Sequence, residues 1–540
     1  MARRCLFAIA GLAFALHGLG ISRGLVPAQD GLKFIRFARD FQRQPWDDVV
    51  RGSDQHPLYS ALIALAEPPV ALALGEGPTA WRVAAQLVSA LASIATLIPL
   101  FGLARALFGE RAALLATLVY ALLPIPAAIG RDTLSDSLAL LFFATALRLG
   151  EVALRTGRRS AWVGTGLAAG LGYLVRPEIL VVPVAVVVTA VWSAIGPAFS
   201  HAIARLRPGE GRASATDLVR PLLARVAVLG VAALTLVGSY ALVKGEVSEK
   251  LSLRNAASIG HSARSVRTAR PSMPPGLDDP RWDFAPKEEG ADPRLKGSAG
   301  KTAIRLVQQW SEGFGWVMLP FVAWGVVAAG RLDGSTVGRR LVGVYLVLFA
   351  AIVIRHATGL GYLSGRHALT IVAATVPWAG AGLWAWARDL PARRGLGPAA
   401  TRRLAILGLA AMIGLGATVQ VRAMHPSRWG HYSAGQWLRT NAGPNQSVLD
   451  TRGWAMFVRG EGRGYDYWHV RQALTDASLA YVVVGTDELK ARSRRAATLR
   501  AILAYAGTPV AEFPDRSGEA GVGVQVFRFA RPDSWRGMNR

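Results

Sequence analysis

Long apolar runs, broken at intervals by arginine-rich stretches, constrain this chain more than any other feature of its sequence. A helix needs about 20 mostly apolar residues to cross a bilayer, and about eleven runs approach that length. Lipid offers a bare backbone no hydrogen bonds, so such runs fold as helices. The expected segments are Cys5–Ile21, Trp81–Leu103, Ala112–Ile129, Leu134–Ala153, Ala161–Val175, Ile179–Ile195, Leu222–Val243, Gly315–Ala329, Leu341–Ile354, Ala368–Ala387 and Leu404–Val421. The fold class that follows is an α-helical polytopic membrane domain over 1–424 with a C-terminal soluble α/β domain over 425–540.

Loop charge orients the chain. With the N-terminus in the cytoplasm, alternate loops carry Arg105 and Arg111; Arg155, Arg158 and Arg159; Arg205, Arg207, Arg212 and Arg220; Arg331, Arg339 and Arg340; and Arg388, Arg393, Arg394, Arg402 and Arg403. The opposite loops carry mainly Arg131, Arg176, Arg355 and Arg366. Positive charge collects on the cytoplasmic side, which puts the C-terminal domain outside. Arg3 and Arg4 precede the first run, which reads as an uncleaved span. A signal peptide cleaved near Val26-Pro27-Ala28 is the alternative. The net charge of +26 suits anionic lipid surfaces. Nucleic acid is excluded as partner because the arginines lie between apolar runs and form no single face. Cys5, the one cysteine, rules out an intrachain disulfide.

Three segments are not spans. Residues 29–75 read as a first outer loop of polar and amphipathic character, and 245–309 as a second outer segment whose stretch Pro271–Pro293 is rich in turn residues. In the soluble tail, Ser433–Thr440 and Asp487–Ala504 read as helices, the latter with arginines on its outer face. Ser447–Leu449, Tyr481–Gly485, Pro509–Phe513 and Gly523–Phe529 read as strands. The tail holds no glycine-rich phosphate loop and no nucleophile motif, so it reads as a lid or docking domain.

Ionisable groups in or at the ends of spans are costly and point to function or pairing. Here they gather on the outer side: Asp30, Lys33, His56, Arg131, Asp132, Asp136, Arg176, Glu178, Tyr362, Arg366 and His367. Asp30 can serve as a general base for an acceptor hydroxyl or cap the amphipathic stretch Gly31–Phe41. His56, in the run Asp54-Gln55-His56-Pro57-Leu58-Tyr59, can donate from a proline-fixed turn. Asp132 and Asp136 are one helical turn apart and share a face. They could bind a divalent cation together with substrate phosphate, bind an acceptor, or pair with Arg131. Pro177 breaks a helix between Arg176 and Glu178, which can pair across the break or touch substrate. Arg366 can grip a phosphate or snorkel to headgroups. No other cofactor is implied.

In their order along the chain these residues resemble the GT-C glycosyltransferases of the family-39-like group, which includes protein O-mannosyltransferases and bacterial transferases that add aminoarabinose to lipid A. The resemblance rests on Asp30 after the first span, His56-Pro57-Leu58-Tyr59, and Asp132 within Arg131–Ser137. It continues in Gly170-Leu171-Gly172-Tyr173-Leu174-Val175-Arg176-Pro177-Glu178 and ends at Arg366-His367. It implies a multi-helix membrane domain with juxtamembrane helices in the first loop. It also implies an inverting glycosyltransferase that uses a polyprenyl-phosphate sugar donor and a lipid, glycan or protein acceptor in a cell envelope, for a bacterial protein the inner membrane. Asp30 matches the catalytic base, and His56 and Arg366 match positions near the donor phosphate. Asp132 is a second catalytic candidate, and Lys33, Tyr59, Arg131, Asp136, Arg176, Glu178, Tyr362 and His367 are candidates for substrate binding. The chain departs from the pattern in having one proline after His56, His367 where tyrosine is common, and an unmatched segment at 245–309. A transporter or flippase for a lipid-linked substrate, a noncatalytic scaffold and a surface-glycan polymerase or ligase are the competing readings. The transporter would call for repeat symmetry and midplane broken helices, whereas no internal repeat is visible and the charges cluster at one surface.

Overall fold

A computed structural model describes residues 1–204, 215–245, 294–395, 397–422, 424–514 and 523–530. Most of the second outer segment, and the loop carrying Arg205, Arg207 and Arg212, lie outside the described residues.

The N-terminal part is helical: α1 (Ala2–Ser22), α2 (Gln29–Arg43), α3 (Trp46–Gly52), α4 (Pro57–Leu74), α5 (Pro78–Phe108), α6 (Glu110–Leu122), α7 (Pro124–Gly130), α8 (Asp136–Thr156), α9 (Arg159–Tyr173), α10 (Val181–Ala204) and α11 (Ala215–Lys244). It continues with α12 (Ala299–Gly313), α13 (Leu319–Ala328), α14 (Thr336–Leu360), α15 (Leu369–Arg393) and α16 (Pro398–Val421). Each apolar run named from the sequence contains a helix. Among the described residues nine helices are long and apolar enough to cross a membrane, or ten if the bent pair α6–α7 is one span. The count includes α4, which is not one of the eleven runs, and leaves out α9, with only 15 residues, and α13, with only 10. The chain is an integral membrane protein.

Two local features differ from the sequence reading. Residue 123 precedes a proline, and that proline disfavours α geometry before it; α6 and α7 consequently meet at 64° instead of forming one straight helix. The helix α4 is apolar enough to span, although it lies in the first outer loop. Yet Arg82 of α5 donates to the Ile21 carbonyl at the end of α1 at 3.2 Å, so α4 leaves from and returns to one level. Its start is at that end too, where the Leu58 amide donates to the Leu174 carbonyl at 3.0 Å, two residues before Arg176, so α4 adds no crossing. Close helix contact elsewhere depends on small residues: a Cβ on Gly166 of α9 would stand 2.4 Å from the Leu229 carbonyl oxygen of α11.

The C-terminal domain adds α17 (Trp429–Asn441), β1 (Ser447–Asp450), α18 (Trp454–Arg459), β2 (Gly464–Tyr465), α19 (Val470–Thr475), β3 (Leu479–Gly485), α20 (Thr486–Lys490), α21 (Arg494–Leu503), β4 (Pro509–Pro514) and β5 (Gly523–Arg528). The sheet order is β2-β1-β3-β5-β4, with β2, β1 and β3 parallel and β5 and β4 antiparallel. Side chains alternate across a strand. Val482 and Val484 therefore enter one core with Leu499 and Ile502, and Tyr481 and Val483 enter another with Ala434 and Leu438. The segment Asp487–Ala504 forms two helices instead of one, because Ser493 caps a new start by accepting from the Ala496 amide at 3.1 Å. Arg495 correspondingly turns inward, pairing with Glu488 at 2.7 Å.

Candidate active site

The helix α2 is two-faced. Phe34, Ile35, Phe37 and Ala38 are buried, while Asp30, Lys33, Arg36 and Arg39 recur every third residue and line a cleft. Asp30 is not the cap that its position suggests. The helix starts at Gln29 with Ala28 as its N-cap. The carboxylate sits in the first turn, where the helix dipole favours it, and accepts from Arg366 Nη1 at 2.5 Å. The start of α2 presses hard on the turn before α8. A Cβ on Gly31 would lie 1.9 Å from Thr133 Oγ1, so only glycine permits that approach.

Arg366 lies in the 3-10 turn Gly365–Ala368 that leads into α15. Its Nη2 and Nε both donate to Asp136 Oδ2, at 2.7 and 3.0 Å. The other oxygen of Asp136 accepts from Arg176, whose Nε pairs with Glu178 Oε1 at 3.0 Å. Pro177 starts a 3-10 turn that ends the preceding helical run and fixes this Arg–Glu pair. Four remote segments thus supply one continuous chain: Asp30, Arg366, Asp136, Arg176, Glu178. Asp136 is sealed at 1% side-chain exposure, whereas Asp30 is 48% exposed. The network is closed at its centre and open at Asp30.

Other expected site residues lie elsewhere. Residues 131–135 form a non-helical turn and α8 begins at Asp136, so Asp132 and Asp136 share no helix face. Asp132 is buried and accepts from the amides of Ala28 (3.2 Å) and Thr133 (2.8 Å), while its Oδ2 meets His425 Nε2 at 2.8 Å. Burial pushes its carboxyl up, but His425, Arg428 and the Thr133 amide outweigh burial and hold it below the usual carboxylate range. Arg131 is also buried and donates to the Gln420 carbonyl of α16, which ties two helices together. Tyr59 is fully buried, with its hydroxyl on Ala85 O (3.1 Å) and Ser89 Oγ (2.8 Å). The His56 ring packs against Tyr173 and Tyr240 at 5.1 and 5.3 Å. All four are buried, and none of them lines the cleft that reaches Asp30. His367 is held by Ser364, and Tyr362 meets its ring edge-on at 5.8 Å.

The open end leads into a cleft of about 720 Å³ between α2 and the C-terminal domain, with Tyr362 on its wall. Lys33 reaches the ring of Trp468 across it, at 5.3 Å. Sequence reasoning missed His425, Arg428 and Trp468. Arg428 donates to the Pro27 carbonyl at 2.8 Å and lies 4.5 Å over Trp454. His425-Pro426 follows the last span much as His56-Pro57 follows the first outer helices, which is the one signal that pointed there. For a divalent cation the donor set fits poorly. Asp136 gives one oxygen to Arg366 and the other to Arg176, Asp30 Oδ2 accepts from Arg366, and among the described residues no group of three or more His, Cys, Asp or Glu could hold a metal.

The helical bundle with its appended sheet defines the class: a polytopic membrane protein with a GT-C-like fold. Comparison with known proteins agrees. The model of the family "Dolichyl-phosphate-mannose-protein mannosyltransferase" matches residues 70–206. The crystal structure of ArnT from Cupriavidus metallidurans bound to undecaprenyl phosphate superposes with a TM-score of 0.58 at 15% identity, covering 98% of each chain. Its apo state gives 0.56 at 14% identity over 97% of each. The Archaeoglobus fulgidus oligosaccharyltransferase tethered to an acceptor peptide gives 0.52 at 13%, covering 98% of this chain and 74% of that one. No curated protein matches the sequence.

Proposed function

We propose that this protein is an inverting glycosyltransferase that moves a sugar from a polyprenyl-phosphate donor to an acceptor hydroxyl at the Asp30 end of the membrane domain. In the frame set by the loop arginines, that end is extracytoplasmic. One observation carries the reading. A single guanidinium, Arg366, holds both the exposed Asp30 and the sealed Asp136. The likeness in fold to a structure bound to undecaprenyl phosphate supports the donor class.

The geometry supports the following chemistry. Asp30 takes the acceptor's proton as its oxygen bonds to the anomeric carbon from the face opposite the phosphate. The bond from that carbon to the phosphate oxygen breaks, and its electron pair leaves on the polyprenyl phosphate. Arg366 and Arg176 supply fixed donors for the charge that develops there. A donor phosphate competes with Asp30 for Arg366, so donor binding frees the base when it is needed. Asp136, gripped from both sides, positions the two arginines. Asp132 acts as a positioning residue, tying Ala28 and Thr133 so that α2 presents Asp30. No step is routed through a metal.

The test is Asp30→Asn with undecaprenyl-phosphate sugars as donors and lipid mass spectrometry as readout. Transfer is expected to fall by about 10²–10⁴-fold, with insertion and melting temperature unchanged. A variant that transfers at the parent rate removes Asp30 as base.

A further inference from the structure

The C-terminal domain has a crevice of its own. The strands β2 and β1 are parallel neighbours, so the loops after them stand side by side at one carboxyl edge of the sheet. Open α/β sheets bind ligands at that edge. Here the edge is Thr451–Gly453 after β1 and Asp466–Trp468 after β2. It faces α2 and forms the far wall of the cleft that runs to Asp30.

The lining has a definite chemistry. Basic side chains outnumber acidic ones seven to three. Lys33, among the described residues, meets the Trp468 ring and no carboxylate. Arg36 and Arg463 pair only loosely, each at 3.6 Å, with Asp466 and Asp476, and Arg463 is 70% exposed. Exposed pairs of this kind are weak and exchange readily. Trp468 stands 58% exposed on the wall, a flat apolar face beside the cations. A sugar ring stacks on such a face, and an anion takes such cations.

We propose that this cleft is the acceptor site, and that the acceptor is an anionic glycan. It bears phosphate or carboxylate held by Lys33 and Arg463, with a sugar ring on Trp468 and the reacting hydroxyl at Asp30. The proposal rests on Asp30 as the base.

The test uses the full chain in phosphatidylcholine nanodiscs, titrated calorimetrically with maltotriose, maltotriose 1-phosphate and trigalacturonate. At least one charged probe is expected to bind about tenfold or more tightly than maltotriose, as charge-assisted contacts require. The variant carrying Lys33→Gln and Arg463→Gln loses about that factor for the charged probe and none for maltotriose, and Lys33→Arg retains it. Trp468→Ala weakens every probe that binds. Equal binding of neutral and charged probes, or a double variant that binds the charged probe undiminished, overturns the proposal. Preference between the two charged probes names the anion. Asp30→Asn separates the two readings, because it is expected to keep probe binding and lose transfer. If it transfers normally while the charge preference stands, the base assignment fails and the cleft survives.

Discussion

The helix α8 carries a buried carboxylate near each end, and the two find their partners differently. Asp136, at its start, is held by Arg176 and Arg366, which lie 40 and 230 residues away in sequence. Glu151, near its end and 0% exposed, is held by Arg148 and Arg155 of the same helix, three and four residues off. The local cluster forms as the helix forms and adds to its stability. The remote cluster closes only after separate segments have packed together. It also differs in being open, since Arg366 hands the network on to Asp30 and the cleft. Burying charge at a membrane-facing end without a local partner is costly, and function is the usual reason for it.

That contrast makes unequal demands on the two ends. Asp136→Ala leaves two guanidiniums without their shared carboxylate, and breaking a buried pair costs about 3–5 kcal/mol. Both melting temperature in detergent and transfer are expected to collapse. Arg366→Lys is milder to the fold, because an ammonium keeps the charge. It cannot reproduce a fork that touches Asp30 and Asp136 together, and kcat is expected to fall about a hundredfold. If Arg366→Lys transfers normally, the planar bridge is not the functional element and the network is only an anchor.

The sequence made the membrane domain legible because apolar length is a direct physical requirement. It was less informative where proline intervened. Pro124 bent a segment that reads as one span, while Pro68 and Pro69 sit inside a helix of the first outer loop that is apolar enough to span. In the site, residue type and the gathering at one end of the bundle were readable, since carboxylate, imidazole and guanidinium groups stand out against apolar runs. Partner choice was not. Arg131 and Arg366 look alike in sequence, yet one ties down the Gln420 carbonyl and the other bridges two carboxylates. Asp132 and Asp136 show helical spacing, and only the turn at 131–135 reveals that they diverge.

The same contrast of remote and local recurs among the smaller effects. Asp132 depends on His425, 293 residues away. Its carboxyl is held below the usual range, so its contribution to stability is present above the ordinary carboxylate pKa, about 4, and is lost as pH falls through the lower folded value. Asp132→Asn is expected to cost about 1.5–3 kcal/mol at pH 7 and to remove that acid-side loss from melting curves taken between pH 7 and pH 3. Glu151→Ala should cost about 3 kcal/mol, the low end for a broken buried pair, since it strands Arg148 but leaves Arg155 half exposed. Arg155 is then free to reach headgroups. Transfer kinetics should not change. A loss of transfer matching that of Asp136→Ala would erase the distinction between the two ends of α8.

The smallest effect belongs to a local carboxylate of the soluble domain. Asp450, at the end of β1, is fully buried and accepts from the amides of Met456 (3.0 Å) and Arg452 (3.2 Å). Burial pushes its carboxyl up to about 6 against the pull of those amides. The sign is opposite to that of Asp132. The folded protein keeps this proton at a pH where the unfolded chain has released it, so the contribution is complete below about pH 4 and is lost as pH rises through about 6. Asp450→Asn keeps one acceptor oxygen and loses the titration. Its net cost at pH 7 is expected to stay under about 1 kcal/mol, and the decline in melting temperature between pH 4 and pH 7 should flatten. If the decline persists in the variant, another group titrates there, and the amide-held carboxylate is not what couples this edge of the sheet to pH.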